Sequence, residues 1–142
     1  MRQLVTMAAI GALSALGTLP MASARAGETE QFQLIHVDQL VADLKDGHAV
    51  VLDANNPETR AKEGIIPGAK LLSSSSSYDV AKEVPGPKNT EVVFYCANVK
   101  CMASHGAAKR AVAAGYTNVK VLSDGIQGWK KAGQPTEKVR GG

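Results

Sequence analysis

The chain has 142 residues, 44% apolar and 20% charged, the make-up of one soluble globular domain with room for a tail. Its formal charge of +3 includes Arg2 and Arg25, so without the first 26 residues it falls to +1. With no long basic run either, the chain has no electrostatic footprint for nucleic acid or for an anionic membrane. Aromatic residues make up only 4%, so the core must rest on Val, Leu, Ile and Ala.

Residues 1–26 read as a cleavable export signal. Arg2 precedes an apolar stretch that runs from Leu4 to about Leu19. Pro20 then breaks it, and Ala24-Arg25-Ala26 supplies the small-x-small pattern for cleavage after Ala26. The stretch is short for a membrane span and is interrupted by Gly, Ser and Thr, which weighs against an uncleaved anchor. A periplasmic or secreted location follows as an expectation, with no membrane attachment after cleavage. Residues 27–32 are a polar lead-in.

Strand and helix patterns then alternate. Residues 32–37 are a β-type run. Helical spacing of Leu40, Val41 and Leu44 follows, with Asp38 as the expected cap and Gly47 as the stop. Residues 49–54, "AVVLDA", form a continuous apolar run of the kind buried in a parallel sheet. A short helix opens on Pro57, and Pro67-Gly68 make a turn into a short strand ending at Leu72. The serines at 73–77 fit a solvated loop, and residues 78–84 a helical turn. "EVVFYC", residues 91–96, is a second buried-strand run. It leads through a short turn to an alanine-rich helix over 102–115, with Ala103, Ala107 and Ala111 on one face. Residues 118–123 are a fifth strand, "GIQGWKKAG" a last helix, and the end of the chain a tail. The order predicts an α/β fold with a central, mainly parallel, five-stranded sheet and helices on both faces. In such sheets ligands bind outside the carboxyl ends of the strands, which is where Asp53 and Cys96 fall.

Both cysteines of the chain, Cys96 and Cys101, flank that turn. Ala97, Asn98, Val99, Lys100, Cys101 and Met102 each carry a backbone N–H. A turn that converged them on the sulfur ahead of a helix N-terminus would favour the thiolate, with Lys100 as a nearby cation. The plain alternative is an inert, buried strand-end thiol. Asp53 reads as an acceptor that orients nearby loops rather than as a general base. His105, one turn into the helix, could pair with a cysteine or face solvent. His36 and His48 read as surface or strand-end residues, and Trp129 as a cap on the core.

The ordered set Leu52-Asp53, Ile66-Pro67-Gly68-Ala69, Tyr95-Cys96, Ala114-Gly115-Tyr116, Asn118-Val119 and Gly125-Ile126 with Trp129 resembles the rhodanese-like family. The resemblance extends over residues 33–136 and leaves 137–142 as a tail. It implies a three-layer α/β domain and a sulfurtransferase. Cys96 would attack the sulfane sulfur of a small donor and pass it, as a persulfide, to a thiol or cyanide. The resemblance implies no cofactor and makes Ala97 to Met102 the active-site loop. Several positions depart from the family pattern. Asp53-Ala54-Asn55 stands where many members have Asp-x-Arg, Ile65 where a His is usual, and Val99 where a loop glycine is frequent. Any left-handed bend in the loop is therefore expected at Asn98. Cys101 replaces an arginine that would clamp an anionic donor, so thiosulfate is not carried over as the substrate. A second thiol here could resolve a persulfide on Cys96. Three readings stand beside sulfur transfer: a non-catalytic sulfur-carrier or binding domain, a thiol–disulfide module, and a metal site using Cys96, Cys101 and His105.

Overall fold

A computed structural model describes residues 31–139. The expected export signal over 1–26 lies outside them. Ten elements follow in order: β1 (Gln33–Ile35), α1 (Val37–Lys45), β2 (Ala49–Asp53), α2 (Pro57–Glu63), β3 (Lys70–Leu71), α3 (Val80–Glu83), β4 (Glu91–Tyr95), α4 (Ala103–Ala113), β5 (Val119–Leu122) and α5 (Gly125–Lys131). The sheet runs β1-β5-β4-β2-β3, and every pairing is parallel. Among the described residues no helix is long and apolar enough to cross a membrane.

The alternation of side chains along each strand divides the core in two. Leu52, Val92, Phe94, Val119 and Val121 face α4 and Tyr78 on one side. Val51, Val93, Tyr95 and Leu122 face α1 and α5 on the other, with Ile126 and Trp129 among their neighbours. This is the expected three-layer arrangement. The alanine stripe is buried as its spacing implies, Ala107 and Ala111 being fully covered. Val92, Val93, Phe94 and Tyr95 are all fully buried. At about 1.5–3 kcal/mol for a fully buried side chain of this size, β4 is a well-anchored platform for the residue that follows it, Cys96.

Three boundaries differ from expectation. β1 holds only three residues, the span over which it pairs with β5. Asp38 is not the cap of α1: the N-cap residue is His36, and the carboxylate of Asp124 accepts from the Val37 N–H at 3.1 Å. A cap supplied from the far end of the domain does the work of a local one. At the other end, Glu137 is fixed to the body by paired backbone bonds with Ile65, at 2.8 and 2.9 Å. Trp129 donates its Nε1–H to the Pro135 carbonyl at 2.7 Å. The fold therefore extends into the first residue of the expected tail.

Candidate active site

Asp53 ends β2 and lies in register with Tyr95, the last residue of the adjacent β4, which Cys96 follows directly. Asp53 is completely buried. Its Oδ1 accepts from the Asn55 N–H at 2.7 Å and from Arg60 Nε at 3.1 Å, and its Oδ2 accepts from the Tyr95 hydroxyl. Arg60 Nη2 donates to the Asp53 and Leu72 carbonyls at 2.8 and 2.9 Å. The Tyr95 oxygen accepts from the Ile66 N–H at 3.1 Å. Burial, reinforced by the Asp53 carboxylate, pushes the Tyr95 hydroxyl far up, so it stays a donor. Through these bonds Asp53 ties β2, β4, α2 and the turn at Ile66 together. Arg60, in a stretch that reads as an ordinary surface helix, has no signal in the sequence for this part.

The Cys96 thiol is 2% exposed. It donates to the Cys101 carbonyl at 3.2 Å, and its sulfur lies 3.2 Å from the Ser104 hydroxyl oxygen. Ser104 is buried in the first turn of α4. The wrapping loop is held in two halves. In the first, the Cys96 and Ala97 carbonyls accept from the Ile126 and Gln127 N–H groups of α5, at 2.9 and 3.0 Å. In the second, Asn98 closes the chain on itself. Its side chain accepts from the Lys100 N–H at 3.0 Å and its carbonyl from the Cys101 N–H at 3.0 Å.

Two expectations are corrected here. No residue other than glycine has positive φ among the described residues, so Asn98 makes no left-handed bend. The special backbone belongs to Gly125 in α5, at φ 63°. A Cβ there would lie 2.6 Å from the Ala97 carbonyl carbon and from the Asn98 nitrogen. Only glycine lets α5 seat this closely beneath the loop.

The second correction concerns the thiol. The Lys100 and Cys101 amides are spent inside the loop rather than aimed at sulfur. Burial therefore dominates and pushes the Cys96 thiol up, the neighbouring Cys101 adds to this, and hydrogen bonding from the Ser104 side chain and N–H pulls it down. Ser104 is thus the group that favours the thiolate. Its place one turn past Cys101 was written in the sequence, but its aim was not.

The remaining candidates fall as follows. Cys101 is half-buried, and both cysteines are free thiols. Val99, Lys100 and Met102 form an exposed rim, Val99 at 71% and Met102 at 59%. His105 sets its ring edge-on to Phe32, with centroids 5.5 Å apart. His36 is exposed and reaches Asp124 at 3.1 Å. His48 is exposed and Trp129 is a buried part of the core. Among the described residues no three His, Cys, Asp or Glu side chains gather to hold a metal ion. A shallow recess of about 680 Å³ lies along α1 and α5, lined by His36, Val37, Asp124 and Lys131. It contains no thiol.

The family model described as Rhodanese-like domain matches residues 36–132, and the chain belongs to that family. Its fold is similar to that of a Bacillus halodurans protein, at 24% identity and a TM-score of 0.65 over 76% of this chain and 77% of that one. It is similar to the rhodanese-like domain of an Anabaena protein, at 23% identity and 0.62 over 75% and 79%. A thiosulfate sulfurtransferase from Pseudomonas aeruginosa matches at 26% identity and 0.62 over 77% of this chain and 21% of that one.

Proposed function

We propose that the chain is a sulfurtransferase that carries sulfane sulfur on Cys96. The carrying observation is a free, well-anchored thiol at the carboxyl end of the central strand, with Ser104 beside its sulfur at 3.2 Å. Family membership and the likeness to a thiosulfate sulfurtransferase support the same chemistry. The Cys96 thiolate attacks the outer sulfur of a small donor, and the remainder of the donor leaves as an anion (sulfite, where the donor is thiosulfate). The outer sulfur of the persulfide then passes to an acceptor thiolate or cyanide, which frees Cys96 again. A hydroxyl can turn from accepting to donating, so Ser104 can support the thiolate and then the persulfide anion. On the leader pattern of residues 1–26, the protein works outside the cytoplasm, and sequencing the exported chain should find Gly27 first.

The burial that raises the thiol favours a second reading, a non-catalytic carrier or binding domain. One experiment separates the two. Reduced protein is incubated with thiosulfate or with inorganic polysulfide and weighed intact. An enzyme gains one sulfur atom, passes it to added cyanide or thiol over many turnovers, and gains none as Cys96→Ser, whereas a carrier or binding domain does not turn over. No sulfur uptake together with no sulfide release with either donor, or an equal gain in Cys96→Ser, overturns the sulfurtransferase reading.

A further inference from the structure

We infer that Cys101 resolves the sulfur that Cys96 collects, releasing it as sulfide and leaving a Cys96–Cys101 disulfide. The inference rests on the persulfide reading above and adds a second reaction at the same site.

Reach comes first. The Cys96 sulfur touches the carbonyl oxygen of Cys101 at 3.2 Å. A carbonyl oxygen lies at most about 2.8 Å from its own Cα, the sum of two bonds. The Cys96 sulfur is therefore within about 6 Å of the Cys101 Cα, so only a modest shift is needed to bring the two sulfurs into bonding range. The loop can supply it. The bonds that tie it to α5 fall on the Cys96 and Ala97 carbonyls and on the Asn98 side chain, which donates to Gln127 Oε1 at 3.4 Å, while Lys100 and Cys101 beyond it are bonded through their N–H groups only to Asn98. The half that carries Cys101 can move while Cys96 stays fixed.

The direction of attack comes second. A persulfide on Cys96 offers two sulfurs. Attack on the outer one would expel the Cys96 thiolate into a buried site that holds an anion poorly. Attack on the inner one expels hydrosulfide, a weakly basic and therefore better leaving group. The inner sulfur is also the atom already beside Cys101. The step balances. The Cys101 thiolate forms the S–S bond with the inner sulfur of the protonated persulfide as the bond between inner and outer sulfur breaks, and the outer sulfur keeps its proton and leaves with that electron pair as hydrosulfide. The two thiols together give up two electrons, and the sulfane sulfur takes them.

Access comes third. Cys101 is half-buried where Cys96 is almost fully covered. An external dithiol can reduce the disulfide, becoming a disulfide itself and returning both cysteines as free thiols. With such a reductant as co-substrate, the site turns sulfane sulfur into sulfide.

The test loads the reduced wild type and Cys101→Ser with thiosulfate or inorganic polysulfide, removes excess donor rapidly, and follows both by intact mass without added thiol. The wild type should lose its extra sulfur, release sulfide, and end two hydrogens lighter than the reduced chain. Peptide mapping should then join Cys96 to Cys101. Cys101→Ser should keep its extra sulfur at least tenfold longer. Equal persulfide lifetimes, with no mapped disulfide in the wild type, overturn the resolving role and leave the transferase reading standing. If neither form ever gains sulfur, the persulfide reading fails and takes this inference with it. The mapped disulfide in the wild type is independent of how well the variant folds.

Discussion

The carboxyl ends of β2 and β4 lie side by side, yet their polar groups are treated in opposite ways. Asp53, at the end of β2, is buried with both oxygens engaged, by Asn55, Arg60 and Tyr95. Cys96, one residue past the end of β4, keeps a thiol whose partners are the Cys101 carbonyl and the hydroxyl and N–H of Ser104. Three accepted bonds and complete burial make the first a structural joint that presents nothing to a substrate. The second is a buried atom under a thin loop with an exposed rim, which leaves it free to change its bonding. The contrast teaches that position at the functional edge of a parallel sheet is not enough. What counts is whether the surroundings finish a group's bonds or leave some open.

Removing Asp53 should break the comparison most severely. Asp53→Ala leaves the Arg60 guanidinium, 8% exposed, without its carboxylate, and leaves the Tyr95 hydroxyl without its acceptor. Breaking a buried pair in this way costs about 3–5 kcal/mol. Urea unfolding should show that loss, whereas Cys96→Ser should cost about 1 kcal/mol, as a typical point substitution does. Similar losses in the two variants would mean that the two strand ends do not differ as described.

A smaller effect is expected where the two regions are held in place. Gly125→Ala must adopt φ 63° and insert a methyl group 2.6 Å from the Ala97–Asn98 peptide. Backbone strain of this kind costs about 1–3 kcal/mol, and relief requires the first half of the loop to lift from α5. Because the Cys96 carbonyl is bonded to the Ile126 N–H, lifting the loop also displaces the thiol. Stability should fall and sulfur loading of Cys96 should slow together. A variant that unfolds earlier but loads at the wild-type rate would separate the loop's seat from the site.

How much of this could be read from the chain follows from how local each feature is. β2 and β4 were legible because a strand buried on both faces is written as an unbroken apolar run, and their last residues placed Asp53 and Cys96 on one edge. The ends of β1 were not, because its length is set by pairing with β5 alone. Asp38 reads as the cap of α1 because caps are usually local, whereas Asp124 reaches it from 87 positions away. The thiol's environment is hidden from the sequence for the same reason. Its sign depends on how deeply the loop sits, which Gly125 and the α5 amides decide from another part of the sequence. Arg60 and Ser104 carry ordinary helix-surface signatures and acquire their roles only when the layers close.

The gentlest probe leaves the fold intact and removes only the support of the thiolate. Burial holds the Cys96 thiol above the ordinary range, and Ser104 is the group that draws it back down. A thiol whose folded pKa is raised keeps its proton to higher pH, so alkylation of Cys96 should still be accelerating where an ordinary thiol has levelled off. The same shift has a consequence for stability. Below the unfolded pKa both states are protonated and nothing changes. As pH climbs from the unfolded value to the folded one, the unfolded chain releases its proton first, and stability declines. Ser104→Ala should extend that window upward. A hydrogen bond to a charged group contributes about 1.5–3 kcal/mol, so alkylation by iodoacetamide near neutral pH should slow by about tenfold or more. The whole pH–rate curve should move to the alkaline side without a change in its plateau. Ser104→Thr, which keeps the hydroxyl, should recover most of the rate. The pH–rate curve decides the matter, because a purely structural role for Ser104 would lower the plateau and leave the midpoint alone. An unmoved midpoint in Ser104→Ala would show that the hydroxyl 3.2 Å from the sulfur takes no part in holding its charge.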